Sequence, residues 1–123
     1  MTTSAPSAPS VLYHNPRCSK SRGALELLQE KGIALQVVAY LETPPSAAEI
    51  ETLLSQLGLA DPRGLMRTGE AEYAELNLAD PFLSRQQLIA ALAAHPRLIE
   101  RPIFVHNGRA VIGRPPERVL ELL

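Results

Sequence analysis

Residues 11–40 have the sequence VLYHNPRCSKSRGALELLQEKGIALQVVAY, which predicts a strand, a helix and a second strand. Val11-Leu12-Tyr13 is a short apolar strand, and residues 35–40 form a second strand that is apolar on both faces. Between them, apolar residues at helical spacing give one face to a helix: Ala24, Leu25, Leu27 and Leu28. About 30 residues is the usual length of a crossover between parallel strands. Strands that are apolar on both faces fit the interior of such a sheet.

The end of the chain returns to β-structure. Two apolar runs, 103–105 and 110–112, flank Asn107-Gly108, a pair that is typical of a tight hairpin turn. Pro115-Pro116 then opens a short terminal helix. A βαβ half followed by a ββα half predicts an α/β, thioredoxin-like fold with a four-stranded mixed sheet. A plain α+β two-layer domain without redox chemistry shares most of these signals.

The two halves are separated by a predicted helical insertion at about 46–96. Ser46-Ala47-Ala48-Glu49 and Ser84-Arg85-Gln86-Gln87 are capping boxes, each followed by apolar residues at helical spacing. Asp61-Pro62 is a further helix start, with Asp as the N-cap residue. Residues 70–77 can form another short helix.

The chain has 123 residues, of which 46% are hydrophobic, and its formal net charge is −1. These values predict one globular domain over 11–123. Residues 1–10 carry no charged side chain, so we expect a disordered tail that is no signal peptide. The balanced charge argues against a nucleic-acid partner, and no apolar run approaches the ~18 residues of a membrane span. We expect a cytoplasmic monomer.

Cys18 is the single cysteine, and it lies where the loop after the first strand enters the helix. Unpaired N–H groups and the helix dipole favour a thiolate there. Arg17, Lys20 and Arg22 add positive charge, which predicts a reactive thiol with a lowered pKa rather than an inert buried one. Ser21 stands where a dithiol motif has its second cysteine. It can donate a hydrogen bond to the thiolate but cannot form a disulfide.

A single cysteine requires a reductant from outside the chain. Once Cys18 is oxidised or carries an adduct, only an external thiol can reduce it, and glutathione or a glutaredoxin is the natural candidate. One Cys and three scattered His make no metal site, and no glycine-rich loop predicts a bound nucleotide. His14 either pairs with the thiolate or forms a hydrogen bond within the loop.

The run from His14 to Arg22 resembles the active-site signature of the ArsC-type, glutaredoxin-dependent arsenate reductases, and among them the YfgD-like subgroup. The similarity extends from about Val11 to Leu123. Four further motifs carry it, at 40–45, 65–67, 100–103 and 113–117. Many members of the family read Cys-Gly-Thr-Ser-Arg at the site, and this chain departs from that pattern at Ser19 and Lys20. Lys20 adds charge where a neutral residue is usual, and this leaves the preferred oxyanion open.

The resemblance implies a mechanism and a set of site residues. Cys18 attacks arsenate and forms a thiol–arsenate adduct, and glutathione as co-substrate and glutaredoxin as partner complete the reduction to arsenite. The family's oxyanion-binding arginines match Arg67, Arg101 and Arg114. Residues that support the thiolate match His14 and Ser21, and Asn15 of the same loop is grouped with them. The thioredoxin-like fold implies that Pro102 is a cis-proline facing the cysteine, and no cofactor is tightly bound.

Two other functions remain open from the residues. A monothiol redox protein would act on glutathionylated or other thiol adducts of Cys18 without needing Arg67 or Arg114. A regulator like the Spx proteins would share this fold and bind RNA polymerase. Those with a redox switch use two cysteines, of which Ser21 replaces the second.

Overall fold

A computed structural model describes residues 10–123, which divide into two compact units. Residues 10–39 and 101–123 form the first unit, and residues 40–100 form the second. The predicted tail lies outside the described residues except for Ser10, which is the first residue of a strand and not part of a tail. The reason is that Ser10 pairs with Leu35 on the neighbouring strand, and its Oγ lies 2.7 Å from Nδ1 of His106.

The first unit is a four-stranded mixed sheet with a helix after its first strand. The elements are β1 (Ser10–His14), α1 (Ser19–Glu30), β2 (Leu35–Ala39), β3 (Ile103–His106), β4 (Arg109–Ile112) and a terminal 3-10 helix (Pro116–Leu122). The sheet order is β2-β1-β3-β4, with β1 parallel to β2 and the other pairs antiparallel. The predicted thioredoxin-like fold, βαβ followed by ββα, is confirmed.

The position of β2 corrects one prediction. The apolar sequence of this strand suggested the interior of the sheet, but β2 is an edge strand, and Val37 is 46% exposed. The β3–β4 hairpin joins the sheet on the other side of β1, so β2 keeps one neighbour only. Composition alone does not separate an edge strand from a central one.

The core of the first unit lies between the sheet, α1 and the terminal 3-10 helix. Leu12 pairs with Phe104, and Phe104 pairs with Val111, so that all three lie side by side on one face of the sheet. They form one buried cluster together with Ala24, Leu28 and Val119. This packing holds α1 against the sheet, and Cys18 lies in the connection between β1 and α1.

The second unit contains helices and no strand, as the insertion predicts, and one isolated β-bridge pairs Met66 with Ile99. Its elements are α2 (Ala47–Leu57), a 3-10 helix (Pro62–Leu65), α3 (Ala71–Glu75), α4 (Arg85–Ala94) and a second 3-10 helix (Pro96–Leu98). Both predicted capping boxes are formed: the Ser46 and Ser84 side chains accept hydrogen bonds from the N–H groups of Glu49 and Gln87. Within residues 10–123, no helix has the length and apolar character that a membrane span requires.

Candidate active site

Three segments of the first unit meet at one end of the strands of its sheet. Because β3 runs antiparallel to β1, with Tyr13 opposite Ile103, the end of β1 lies beside the start of β3. Because β4 runs antiparallel to β3, with Ile112 opposite Ile103, the end of β4 lies at the same end of the sheet. Cys18 follows β1, Arg101 precedes β3, and Arg114 follows β4. The topology therefore brings residues that are far apart in sequence to one end of the unit.

Cys18 is half-buried at the N-cap position of α1, in an extended backbone conformation. Its N–H donates to the carbonyl of Asn15 (3.0 Å), and its own carbonyl accepts from Arg22 N–H (3.0 Å). Partial burial by itself raises the pKa of the Cys18 thiol. Hydrogen bonds from the backbone N–H groups of Ser21 and Lys20, together with Arg101, outweigh burial and bring the pKa below its ordinary value.

Arg101 acts on the sulfur in two ways, through its positive charge and through a side-chain hydrogen bond to Cys18. Its Nε is buried and has no hydrogen-bond partner among residues 10–123. A buried donor without a partner costs roughly 1–3 kcal/mol, and more when the group is charged. The Arg101 guanidinium therefore faces the thiol with hydrogen-bonding capacity to spare.

His14, Asn15 and Ser21 form a hydrogen-bonded group under the loop before Cys18. The Ser21 side chain is fully buried, and its Oγ accepts from the N–H of Asn15 (3.0 Å) and lies 2.6 Å from Nδ1 of His14. The tautomer of His14 decides which of these two groups donates. The Asn15 side chain accepts in turn from the N–H of Arg17 (3.0 Å). The Ser21 hydroxyl thus joins β1 to α1, and the backbone N–H of Ser21 bonds to the thiol.

Arg22 contributes to the lowered pKa of His14. Its Nη1 donates to the carbonyl of Pro16 (2.9 Å), which holds the guanidinium over the loop. Burial is the main cause that lowers the pKa of His14, and repulsion by the Arg22 charge lowers it further, against the opposing effect of the hydrogen bond to Ser21. Burial and the Arg22 charge therefore favour the neutral imidazole of His14.

We expect Arg22→Gln to raise the pKa of His14, because the variant removes a positive charge that disfavours the imidazolium. The pKa should stay below its ordinary value, since burial remains. An NMR titration of the imidazole measures it, with the signal assigned by its loss in His14→Asn. Lys31→Gln, at the other end of α1, is the matched control and should leave the pKa of His14 unchanged. A pKa that does not move in Arg22→Gln would contradict this account.

The three arginines implied by the resemblance do not all lie in one unit. Arg101 and Arg114 belong to the first unit, and Arg67 belongs to the second. The Arg67 backbone N–H donates to the carbonyl of Leu98, and its Nη1 lies 3.1 Å from a carboxylate oxygen of Glu70. Both of the first-unit arginines precede a cis peptide bond, Arg101–Pro102 and Arg114–Pro115.

Gly113 lies at the same end of the sheet, directly after β4. Its N–H donates to the carbonyl of Pro102 (2.8 Å) and so connects the end of β4 to the residue after Arg101. A Cβ at this position would lie 2.9 Å from Cγ of Pro102 and 3.0 Å from Cγ1 of Val119. Its place directly before Arg114 was the only signal in the sequence.

Gly113→Ala should therefore lower the free energy of unfolding by about 1–3 kcal/mol, because the added methyl group overpacks a closed contact. Denaturant unfolding measures the change. Gly69→Ala is the matched control: its Cβ would meet no atom within 4 Å, so we expect a change within about 0.5 kcal/mol. Equal stabilities of the two variants would show that the contact at Gly113 yields without cost.

Metal chemistry has no candidate residues here: within residues 10–123, no three His, Cys, Asp or Glu side chains are grouped closely enough to hold an ion. The reactive group of the site is the Cys18 thiol, surrounded by N–H donors and positive charge.

Comparisons with known proteins find a matching family and similar proteins over most of the chain. A family model described as the ArsC family matches residues 13–122. The Escherichia coli K12 protein named YfgD is 57% identical over 91% of this chain and 94% of its own length. A Neisseria meningitidis serogroup A protein named arsenate reductase is 51% identical over 91% of this chain and 96% of its own length. A solved structure of an arsenate reductase from Vibrio cholerae is 58% identical, with a TM-score of 0.91, over 94% of this chain and 98% of that one.

Proposed function

This chain belongs to the ArsC family, and from that membership we propose that it is an oxidoreductase that reduces arsenate to arsenite. Relatives with similar sequences over 91% and 94% of this chain are named arsenate reductases. In the proposed reaction the Cys18 thiolate attacks arsenic and forms the S–As bond of a thiol–arsenate adduct. One As–O bond breaks, and the displaced hydroxide takes a proton from solvent and leaves as water.

The environment of Arg101 is the observation that carries the proposal. One guanidinium both stabilises the Cys18 thiolate and keeps a buried N–H without a partner. An arsenate oxygen bound next to the sulfur would satisfy that donor, and the positive charge would stabilise the anion as the bond to sulfur forms. A protein that used Cys18 only to exchange disulfides would gain nothing from the spare donor.

The source of the electrons follows from the single cysteine. Reduction of arsenate to arsenite takes two electrons, which the oxidation of two thiols to one disulfide supplies. Because Cys18 is the only thiol of the chain, that disulfide includes at least one external thiol. We assign this role to glutathione as co-substrate and glutaredoxin as protein partner.

Roles for the other residues complete the proposal. Arg114 lies at the same end of the sheet as Arg101, which supports a second oxyanion contact. The role of Arg67 in oxyanion binding rests on the family resemblance. His14, Asn15 and Ser21 position the loop and the first turn of α1, so that the N–H groups of Lys20 and Ser21 reach the sulfur.

The test is an assay with arsenate, glutathione, glutaredoxin, glutathione reductase and NADPH. We expect arsenate-dependent oxidation of NADPH and formation of one arsenite per NADPH, since each conversion transfers two electrons. Omission of glutathione or of glutaredoxin should stop the reaction. If no arsenite forms while Cys18 reacts with disulfide probes at neutral pH, the protein is a monothiol redox protein with another substrate.

A further inference from the structure

Two exposed cationic residues, Arg17 and Lys20, flank Cys18 in the sequence. Arg17 directly precedes Cys18 in a turn that is closed by the hydrogen bond from Cys18 N–H to the carbonyl of Asn15. Lys20 bonds to the sulfur through its backbone N–H. Both side chains are exposed. Residues 10–25 contain no Asp or Glu, and the first turn of α1 has no acidic residue. The local charge is therefore strongly positive in a chain whose net charge is −1.

These two cations differ from Arg22 and Arg101, whose guanidinium groups are held in place. Arg22 is held by the carbonyl of Pro16, and Arg101 is held at the sulfur. Arg17 and Lys20, in contrast, have no side-chain hydrogen bond or ion pair within residues 10–123. Free side chains at the mouth of a site can follow an anionic reactant as it approaches, and their field raises its local concentration.

We propose that Arg17 and Lys20 form a cationic rim that selects carboxylate-bearing thiols as the external reductant of Cys18. The inference deepens the proposed function and rests on it for the requirement of an external thiol. In the proposed reaction the oxyanion takes the donors around Arg101, and the reductant approaches the half-buried sulfur from solvent. A thiol of net negative charge, such as glutathione, is favoured there over a neutral or cationic thiol.

Disulfide probes of different charge test the rim without arsenate. The Cys18 thiolate attacks one sulfur of the probe, forms a mixed disulfide and releases the other sulfur as a thiolate, so the exchange balances without another oxidant. Three probes suffice: dianionic dithiobis-nitrobenzoate, neutral dithiodipyridine and dicationic cystamine. Cys18 is the only thiol, so each rate reports this site alone. The neutral probe corrects for any change in the thiolate itself.

Lys20→Gln and Arg17→Gln should each lower the ratio of the anionic to the neutral rate about two- to five-fold, and raise the cationic ratio. The change should vanish near 1 M salt, where the screening length is about 3 Å. Lys31→Gln is the matched control: Lys20 and Lys31 are the only lysines, and Lys31 lies roughly 16 Å further along α1.

Two results would overturn the rim: unchanged ratios in both variants, or an equal change in Lys31→Gln. Neither depends on arsenate reduction, so the rim can fail while the arsenate assay succeeds. Conversely, a selective rim in a protein that makes no arsenite would identify a thiol-exchange protein with a preference for anionic thiols, and the proposed function alone would fail.

Discussion

Replacing Cys18 with Ser should abolish arsenate-dependent NADPH oxidation, with a loss of more than about a thousand-fold in rate. The N–H groups and the Arg101 charge lower the pKa of the Cys18 thiol, which favours the thiolate. A serine hydroxyl is a far weaker acid than a thiol, so the same groups leave it protonated. The chain offers no other thiol to take over the attack. The coupled assay measures the loss.

The neighbouring residue provides the control for this variant. Ser19 is exposed in the same helical turn, and Ser19→Ala should retain activity close to that of the unchanged protein. Thermal unfolding of Cys18→Ser should remain close to that of the unchanged protein, since the thiol is only half-buried. Arsenate reduction that survives in Cys18→Ser would remove Cys18 from the mechanism.

Arg101→Gln is expected to lower kcat/KM for arsenate by about 10²–10³-fold, since one group supplies both the charge at the sulfur and the spare donor. It should also raise the pKa of Cys18, because a positive charge and a hydrogen bond that favour the thiolate are lost. At pH 7 a smaller fraction of Cys18 is then ionised. The pH dependence of alkylation by iodoacetamide measures the pKa, and its midpoint should move upward.

Two further variants separate the roles of Arg101. Arg101→Lys keeps the charge but loses the fork of donors, so it should restore part of the pKa shift and little of the arsenate affinity. Arg109→Gln removes a charge at the other end of the sheet, next to the β3–β4 turn, and should change neither property. If the alkylation midpoint of Arg101→Gln does not move, the thiolate depends on the helix N–H groups alone.

Much of the local structure was predictable because short-range interactions determine it. Ser46 and Ser84 cap their helices through bonds within three residues, and both caps form as predicted. The Asn107-Gly108 turn also forms, with a left-handed backbone at both residues. The environment of the Cys18 thiol is local in the same sense, because its N–H donors, Lys20 and Ser21, belong to the first turn of the helix that Cys18 begins.

The order of the strands was harder to predict from the sequence. The sequence of β2 resembles that of a central strand, yet the strand lies at the edge, because the hairpin of β3 and β4 pairs with β1 on the opposite side. Pairing between strands distant in sequence depends on the whole packed sheet and leaves no short-range signal. The buried contact of Gly113 with Pro102 was missed for the same reason.

The candidate site combines both kinds of information. The residues of the run from His14 to Arg22 already determine a reactive thiol that needs an external reductant, because one cysteine beside N–H donors and cations permits little else. Only the tertiary structure places Arg101 on that thiol and assigns the Ser21 hydroxyl to His14 and Asn15. The antiparallel pairing of β1 and β3 brings residue 101 beside residue 18, and no local interaction in the chain specifies that contact.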